Sequence, residues 1–446
     1  MRFERKKMDT IVALSTPAGR GGICVVRLSG KPLGVAEKIF HSKTLENSFS
    51  PAPNYMYFGR ISTSEFSDLG YMVYFRAPKS YTGEDVVEFH LHGGTRIAEG
   101  VIGECVRNGA RLAERGEFTR RAFLNGKMEL SDAEGVIDMI NADSAGAVRS
   151  AYRLMTGKLS LAVHEIQNRL SDVLTGLSAV LDYPEELEDE TLPEVHAELI
   201  VIREKLKRFA SSGTYGKMIK EGMDVALVGD TNVGKSSLMN AMLGYDRAIV
   251  SDIRGTTRDF VTDSFELNGK KINLADTAGI RQSDDVIEKE GVNRAISIIK
   301  DAKLIIRVFD ATEKPEKNEM LDEALAEKNV IEIYNKCDLK KAPENAIAVS
   351  AKTGDGMDVL MEKISDFFDR DKTDGEEILT SERQLSAVLR AIEKTDEAIS
   401  ALEDGIPADC VISVLNEAWS ALGEITGQTV SEKIIDDIFD KFCVGK

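Results

Sequence analysis

The chain has 446 residues, room for roughly two to four domains. Its 57 Lys and Arg stand against 75 Asp and Glu, and the net charge of −18 excludes a broad basic face for holding nucleic acid, leaving only a local patch. With 42% hydrophobic and 30% charged residues, neither a disordered nor a fibrous class is supported.

The opening MRFERKK reads as a frayed tail rather than a targeting signal, because polar residues interrupt the apolar run after it. No apolar stretch approaches the roughly 18–20 residues of a membrane-spanning helix, so no membrane role is expected. Cys24, Cys105, Cys337, Cys410 and Cys443 are scattered and form no C-x-x-C pair, which argues against a disulfide framework or zinc site and fits a reducing cytoplasm.

Segment 1–124 carries short alternating or apolar runs (IVALST, GICVVRLSG, YMVYFRAP, DVVEFHLHGG) between Gly, Pro and Ser, the pattern of an α+β domain. His90 and His92 alternate along one such run without a third and fourth metal ligand at a fitting spacing. In segment 125–217, Ser131 and Glu134 have capping-box spacing ahead of a proline-free helical stretch to Tyr183. Pro184 and EELEDE are expected to break it, with a second helix from about Glu194 to Ala210 and SSGTYG as a linker.

In segment 218–371 apolar strands (DVALVGD, KINLADTAG, KLIIRVFD, NVIEIYN, AIAVSA) alternate with helical patterns, predicting an α/β unit with a mostly parallel sheet. Segment 372–446 turns helical again, with Ser381 and Gln384 as a cap and amphipathic stretches at 408–422 and 431–442. The α/β unit is thus inserted into a helical domain, and the fold class is multidomain α+β and α/β with a helical bundle.

Gly229 to Ser236 fits G-x-x-x-x-G-K-[ST] between a strand and a helix, the context of a phosphate loop. Its backbone N–H groups, with Asn232, Val233, Gly234 and Ser237, wrap phosphates, Lys235 places charge on them, and Ser236 can ligate Mg²⁺. Asp276, Thr277, Ala278 and Gly279 end the next core strand, where a carboxylate can hold the Mg²⁺ water and a glycine N–H can sense the terminal phosphate. Asn335, Lys336 and Asp338 end another strand, and an Asp there accepts both N–H groups of guanine; Ser350, Ala351 and Lys352 support the base.

Four spaced pieces in this order point to a guanine-nucleotide site. After D-T-A-G comes Ile280, whose alkyl chain cannot orient water. Hydrolytic help must come from elsewhere: Asn232, the run Ser251, Asp252, Ile253, Arg254, Gly255, Thr256 and Thr257, or acids beyond Ile280. Thr257 is the better Mg²⁺ ligand of the two threonines, leaving the Thr256 backbone for a second cation. Glu288 is one candidate for the water, although a solvated helix-face glutamate is the plainer reading from residue type.

With DTIVALSTPAGRGGICVVRLSG, YTGEDVVEFHLHGG, GEFTRRAFLNGKMELSDAEGVIDMI and the terminal FCVGK added, the chain resembles the bacterial tRNA-modification GTPase family known as MnmE or TrmE. The resemblance implies a homodimer with an amino-terminal domain that binds a one-carbon tetrahydrofolate, a helical domain completed by the tail, and a G domain that dimerises across its nucleotide face. Carried over by motif, Asn232, Ser251, Ile253 and Thr256 would surround K⁺ and Glu288 would position the water. Arg27, Glu84, Lys127 and Lys446 would contact the folate, and Cys443 matches the tail cysteine. The implied chemistry adds a carboxymethylaminomethyl or aminomethyl group to a tRNA wobble uridine, with the flavoprotein MnmG (GidA) as partner.

Departures from the family pattern are Arg115 in place of proline, Val444 in place of isoleucine, and the extra MRFERKK. Without the family, Arg27 and Glu84 would read as a surface ion pair. Rival readings are a ribosome-assembly or translation-linked GTPase and a dimerising scaffold GTPase. Folate binding by the isolated amino-terminal half would separate these readings.

Overall fold

The computed structural model describes residues 9–245, 263–276, 296–315, 319–371 and 378–445. In the amino-terminal segment the strands β1 (Ile11–Leu14), β2 (Ile23–Gly30), β3 (Phe40–His41), β4 (Met56–Ser62), β5 (Ser67–Phe75), β6 (Asp85–His92) and β7 (Arg111–Leu112) form one sheet. Its order is β3-β4-β5-β6-β2-β1-β7, antiparallel throughout except for the β1–β7 pair.

Period-two alternation sorts the side chains. Val26, Leu28, Val87 and Phe89 share a core with Val35 and Ala36 of α1 (Leu33–Ile39) and Ala98, Val101 and Cys105 of α2 (Thr95–Arg107). The opposite face of β1, through Ile11 and Ala13, packs with Ala113 and with Phe118 of α3 (Glu117–Leu124). β4 and both covering helices were not read from the sequence as separate elements; the segment is α+β as expected.

The helical text differs more from expectation. The stretch to Asp182 is three helices, α4 (Leu130–Asn141), α5 (Ala145–Met155) and α6 (Lys158–Asp182). Ser131 is no cap: it lies in the first turn of α4 and shares a 2.8 Å hydrogen bond with Ser160. Ser144 instead caps α5, accepting from the Ala147 N–H at 3.2 Å.

The helical stretch does break before Pro184, with the non-helical Tyr183 between α6 and the next helix, but EELEDE is helical and the SSGTYG linker does not exist. α7 is a single helix, Pro184–Glu221, with Pro184 in its first turn, where no N–H is required, and Glu185 and Glu186 beside the positive end of its dipole. Gly213 and Gly216 sit inside it because the chain passes close by. A Cβ on Gly216 would lie 2.0 Å from the Leu379 carbonyl oxygen, and one on Gly213 3.1 Å from Leu385. The helix Glu382–Glu403 packs along α7, and Ser381 caps it as expected, accepting from the Gln384 N–H at 3.2 Å.

α7 ends at Gly222 (φ +92°), one residue before β8 (Met223–Val228). With β9 (Asp263–Leu267), β10 (Lys270–Asp276), β11 (Leu304–Asp310), β12 (Val330–Asn335) and β13 (Ile347–Ala348), β8 forms a second sheet in the order β13-β12-β11-β8-β10-β9. It is parallel save for β9, an edge strand that sequence reading missed. This is the doubly wound nucleotide-binding layout, with the phosphate loop after its central strand. Asn273 of β10 donates from its amide to the Glu221 carbonyl (3.1 Å) and to the Asp224 carboxylate (2.9 Å), gripping the chain on both sides of Gly222.

Two compact units emerge. One comprises the segments up to Ile137, Leu154–His164 and from Ser420 on; the other comprises Asp138–Arg153 and Glu165–Trp419.

Candidate functional site

β8 delivers the chain into the phosphate loop at Gly229 (φ +151°), where a Cβ would stand 2.3 Å from the Val308 carbonyl oxygen of β11. Asn232 (φ +65°) and Gly234 (φ +93°) turn the loop, and α8 (Lys235–Tyr245) begins at once. The loop thus ends on a helix N-terminus, which favours anions. Lys235 is buried and its Nζ arches back to donate to the carbonyls of Gly229 and Asp230, both at 2.6 Å. Asn232, Ser236 and Ser237 are exposed, and Val233 is buried.

The base-side pieces meet the loop at the carboxyl ends of β12 and β13. Asn335, 2% exposed, donates to the Val233 carbonyl at 2.9 Å and accepts from the Ala351 N–H at 3.1 Å. Its position is therefore that of a staple between two loops. Asp338 accepts from the Ser350 hydroxyl at 2.8 Å, which leaves its other oxygen uncommitted by that bond. Lys336 (φ +64°) donates from Nζ to the Asn232 carbonyl at 2.8 Å and to Asp310 Oδ2 at 2.6 Å.

Asp310, at the end of β11, escaped sequence reading. Burial pushes its carboxyl up, but hydrogen bonds from Lys336 and from the hydroxyl and N–H of Thr312 outweigh this and hold it below the usual carboxylate range. The signal available was its place as the polar end of LIIRVFD, the strand that pairs directly with the one leading into the phosphate loop.

Asp276 closes β10, in register with Leu227 of β8, so its backbone lies beside the phosphate loop's strand. Ser251, Asp252, Ile253, Arg254, Gly255, Thr256 and Thr257 lie outside the described residues, as do Thr277, Ala278, Gly279, Ile280, Glu288 and Lys446.

In the amino-terminal segment, Arg27 and Glu84 do not pair with each other. Arg27 binds Glu88 (Nε to Oε1, 2.7 Å), its partner across β2 and β6, and its guanidinium lies over the rings of Tyr81 (5.4 Å) and Phe118 (5.7 Å). Glu84 is buried and accepts on Oε2 from the Ser29 hydroxyl (2.8 Å) and from Arg121 Nη1 (3.0 Å). Arg121 also holds Asp9 (2.7 Å) and Glu117 (2.9 Å), and Arg111 holds the same two acids at 2.7 Å each.

Lys127 is exposed and donates to the Pro78 carbonyl at 3.0 Å. His90 and His92 go to separate acids, Glu88 (3.3 Å) and Asp68 (2.7 Å).

The carboxyl tail is tied down as far as Gly445. Phe442 is buried with Leu130, Ala133 and Phe439, and Val444 forms an antiparallel bridge with Arg115. Gly445 (φ +96°) is buried, and its carbonyl accepts from the Ser15 hydroxyl at 3.1 Å. At this bridge the Gly116 N–H donates to the Cys443 carbonyl at 3.5 Å, and the Arg115 guanidinium donates to the Asp440 carbonyl at 3.4 Å. Cys443 is exposed.

A family model described as the MnmE helical domain matches residues 130–443, and one described as GTP-binding protein TrmE N-terminus matches residues 10–127. The tRNA modification GTPase MnmE of Streptococcus pneumoniae (strain Hungary19A-6) is 36% identical over 458 residues, covering 99% of each chain. The protein of the same name from Streptococcus pneumoniae serotype 2 is also 36% identical over 458 residues, with 99% of each chain covered. Among solved structures, an Era variant from Aquifex aeolicus bound to GDP and aluminium fluoride is 28% identical, covers 38% of this chain and 66% of its own, and gives a TM-score of 0.27. The G domain of the T. maritima FeoB iron transporter is 29% identical, covers 32% of this chain and 98% of its own, with a TM-score of 0.25. The chain belongs to the MnmE family of tRNA modification GTPases.

Proposed function

We propose that this GTP hydrolase, which acts in tRNA modification, works on the wobble uridine, adding a carboxymethylaminomethyl or aminomethyl group with the flavoprotein MnmG (GidA) as partner and a one-carbon tetrahydrofolate as cofactor. The observation that carries hydrolysis is the convergence of the phosphate loop, Asp338 with Ser350, and the Asn335 staple at one sheet edge. Full-length similarity to relatives named tRNA modification GTPase carries the tRNA role.

The exposed Ser236 at the first turn of α8 fits an Mg²⁺ ligand, with Thr257 as the second. The exposed Asn232, on a left-handed residue at the loop's rim, fits a K⁺ ligand alongside Ser251, Ile253 and Thr256, in a homodimer that closes over its nucleotide. Potassium there supplies positive charge to the transferring phosphoryl group.

For the folate, the aromatic-flanked guanidinium of Arg27 and the anchored carboxylate of Glu84 suit a planar, N–H-rich heterocycle, while Lys127 and Lys446 suit its anionic tail. When bound, the folate supplies the one-carbon unit. The residues of the chain bind and orient it: Ser29 and Arg121 fix one oxygen of Glu84 and leave the other for a ligand N–H.

Complementation of a strain lacking the gene tests the reading, with wobble nucleosides read by mass spectrometry. The chain is expected to restore the modification and Arg27→Ala to lose most of it. Restored ribosome profiles with unmodified uridine would favour the ribosome-assembly alternative instead.

A further inference from the structure

Lys336 stands at a junction. Its Nζ bridges the Asn232 carbonyl of the phosphate loop (2.8 Å) and Asp310 Oδ2 (2.6 Å), while its own backbone belongs to the base loop and is held at φ +64°. A non-glycine residue in that region costs energy and persists only where its surroundings fix it. Asp310 does the fixing from a buried position, 6% exposed, with Oδ1 clamped by the N–H (2.8 Å) and hydroxyl (2.6 Å) of Thr312. The pairing of Asp310 with Asn335 across β11 and β12 sets the carboxylate level with the start of the base loop.

An exposed ion pair would contribute little, but here one partner is desolvated and the other sits on the rim of the nucleotide site. Without the carboxylate, the ammonium has only one carbonyl to hold it across the gap between the two loops, and a lysine stem has many rotamers.

We infer that Asp310 is a positioning residue for guanine-nucleotide binding: by holding Lys336 against the Asn232 carbonyl, it locks the base loop to the phosphate loop, so that nucleotide release requires the strap to part. The inference rests on the GTP-binding reading above and deepens it.

Stopped-flow dissociation of fluorescent GDP from the full-length protein tests it. Asp310→Asn keeps the shape and the acceptor for Thr312 but removes the charge. It is expected to speed release about tenfold, with the association rate little changed, the size of one charge-assisted hydrogen bond. Lys336→Met should also speed release, and adding Asp310→Asn to it should bring no further acceleration, because the carboxylate acts through the lysine.

A merely structural Asp310 would give equal losses in both backgrounds, which overturns the inference, as does unchanged release in Asp310→Asn. Should that variant not fold, Thr312→Ala, which unclamps the carboxylate and keeps the ion pair, is expected to speed release roughly threefold; no change then overturns the inference. A wild-type protein that binds no guanine nucleotide removes the GTP-binding reading itself, whereas tight wild-type binding with an indifferent Asp310→Asn removes the strap alone.

Discussion

The side-chain amide of Asn335 donates a 2.9 Å hydrogen bond to the carbonyl of Val233, so a residue of the base loop holds the phosphate loop in shape. Its carbonyl oxygen simultaneously accepts from Ala351. Asn335→Ala would strand both partners, at roughly 1–3 kcal/mol for each buried group left unpaired. The nucleotide-free protein is therefore expected to lose about 2–6 kcal/mol in the denaturant transition of this unit. An unaltered transition would mean that the amide matters only to bound nucleotide.

Asp338→Asn is expected to weaken GTP binding and favour xanthosine triphosphate. The amide turns a donor toward the base N–H groups that the carboxylate accepts, and each charge-assisted bond lost costs roughly 1.5–3 kcal/mol. Competition between the two nucleotides for the variant checks this, and an undiminished GTP affinity would take Asp338 out of the base site.

Potassium is expected to accelerate GTP hydrolysis well beyond sodium at equal ionic strength, since Ile280 offers no water-orienting amide. Charge supplied at such a site is worth ~10³–10⁵ in rate. Glu288→Ala should abolish most turnover and spare nucleotide affinity. Equal rates in both salts, or a nearly normal alanine variant, would refute the mechanism.

The tail is expected to serve modification and not hydrolysis. A Cβ at Gly445 would fall 1.9 Å from the Leu14 carbonyl oxygen, on a residue at φ +96°, so Gly445→Ala should undock the last residues. Wobble modification in cells should collapse, as it should on deletion of Cys443 to Lys446, while K⁺-stimulated hydrolysis stays largely intact. Cys443→Ser separates chemistry from placement, because the serine hydroxyl is a far weaker nucleophile at neutral pH. Full modification by the truncated chain would show that these residues are dispensable.

Acid should loosen the amino-terminal unit. Burial raises the Glu117 carboxyl, but Arg111, the Glu114 N–H and Arg121 together bring it below its ordinary value. A depressed carboxyl adds stability above the unfolded-state pKa, about 4.3 for Glu, and that stability is lost as pH falls through the folded value. Stability should therefore decline below about pH 5, and Glu117→Gln should be less stable at neutral pH yet decline less steeply. Parallel pH profiles for the two proteins would disprove the role of Glu117.

The nucleotide motifs were legible because each is a short run whose chemistry requires fixed residue types at a strand end. The helix Glu382–Glu403 announced itself through Ser381 and Gln384 for the same local reason. α7 was misread because its interior glycines answer to the tertiary neighbours Leu379 and Leu385, while propensity alone says linker. Asp310 and Arg121 were invisible for a related reason: their partners lie 26 and 112 residues away, and no local pattern encodes such pairs. Arg27 and Glu84 each have a different partner from the surface pair that residue type suggests.

The grip of Asn273 on both sides of Gly222 makes the joint between α7 and the nucleotide sheet a clamped one. From Glu194 to Glu221 the helix is proline-free and spans about 42 Å at 1.5 Å per residue. A rod clamped at its end converts rotation into travel: a tilt of β8 by about 10° would carry the region of Glu194 through about 7 Å. Any tilt of β8 would thereby be amplified along α7 by a ratio set by the length of an uninterrupted helix.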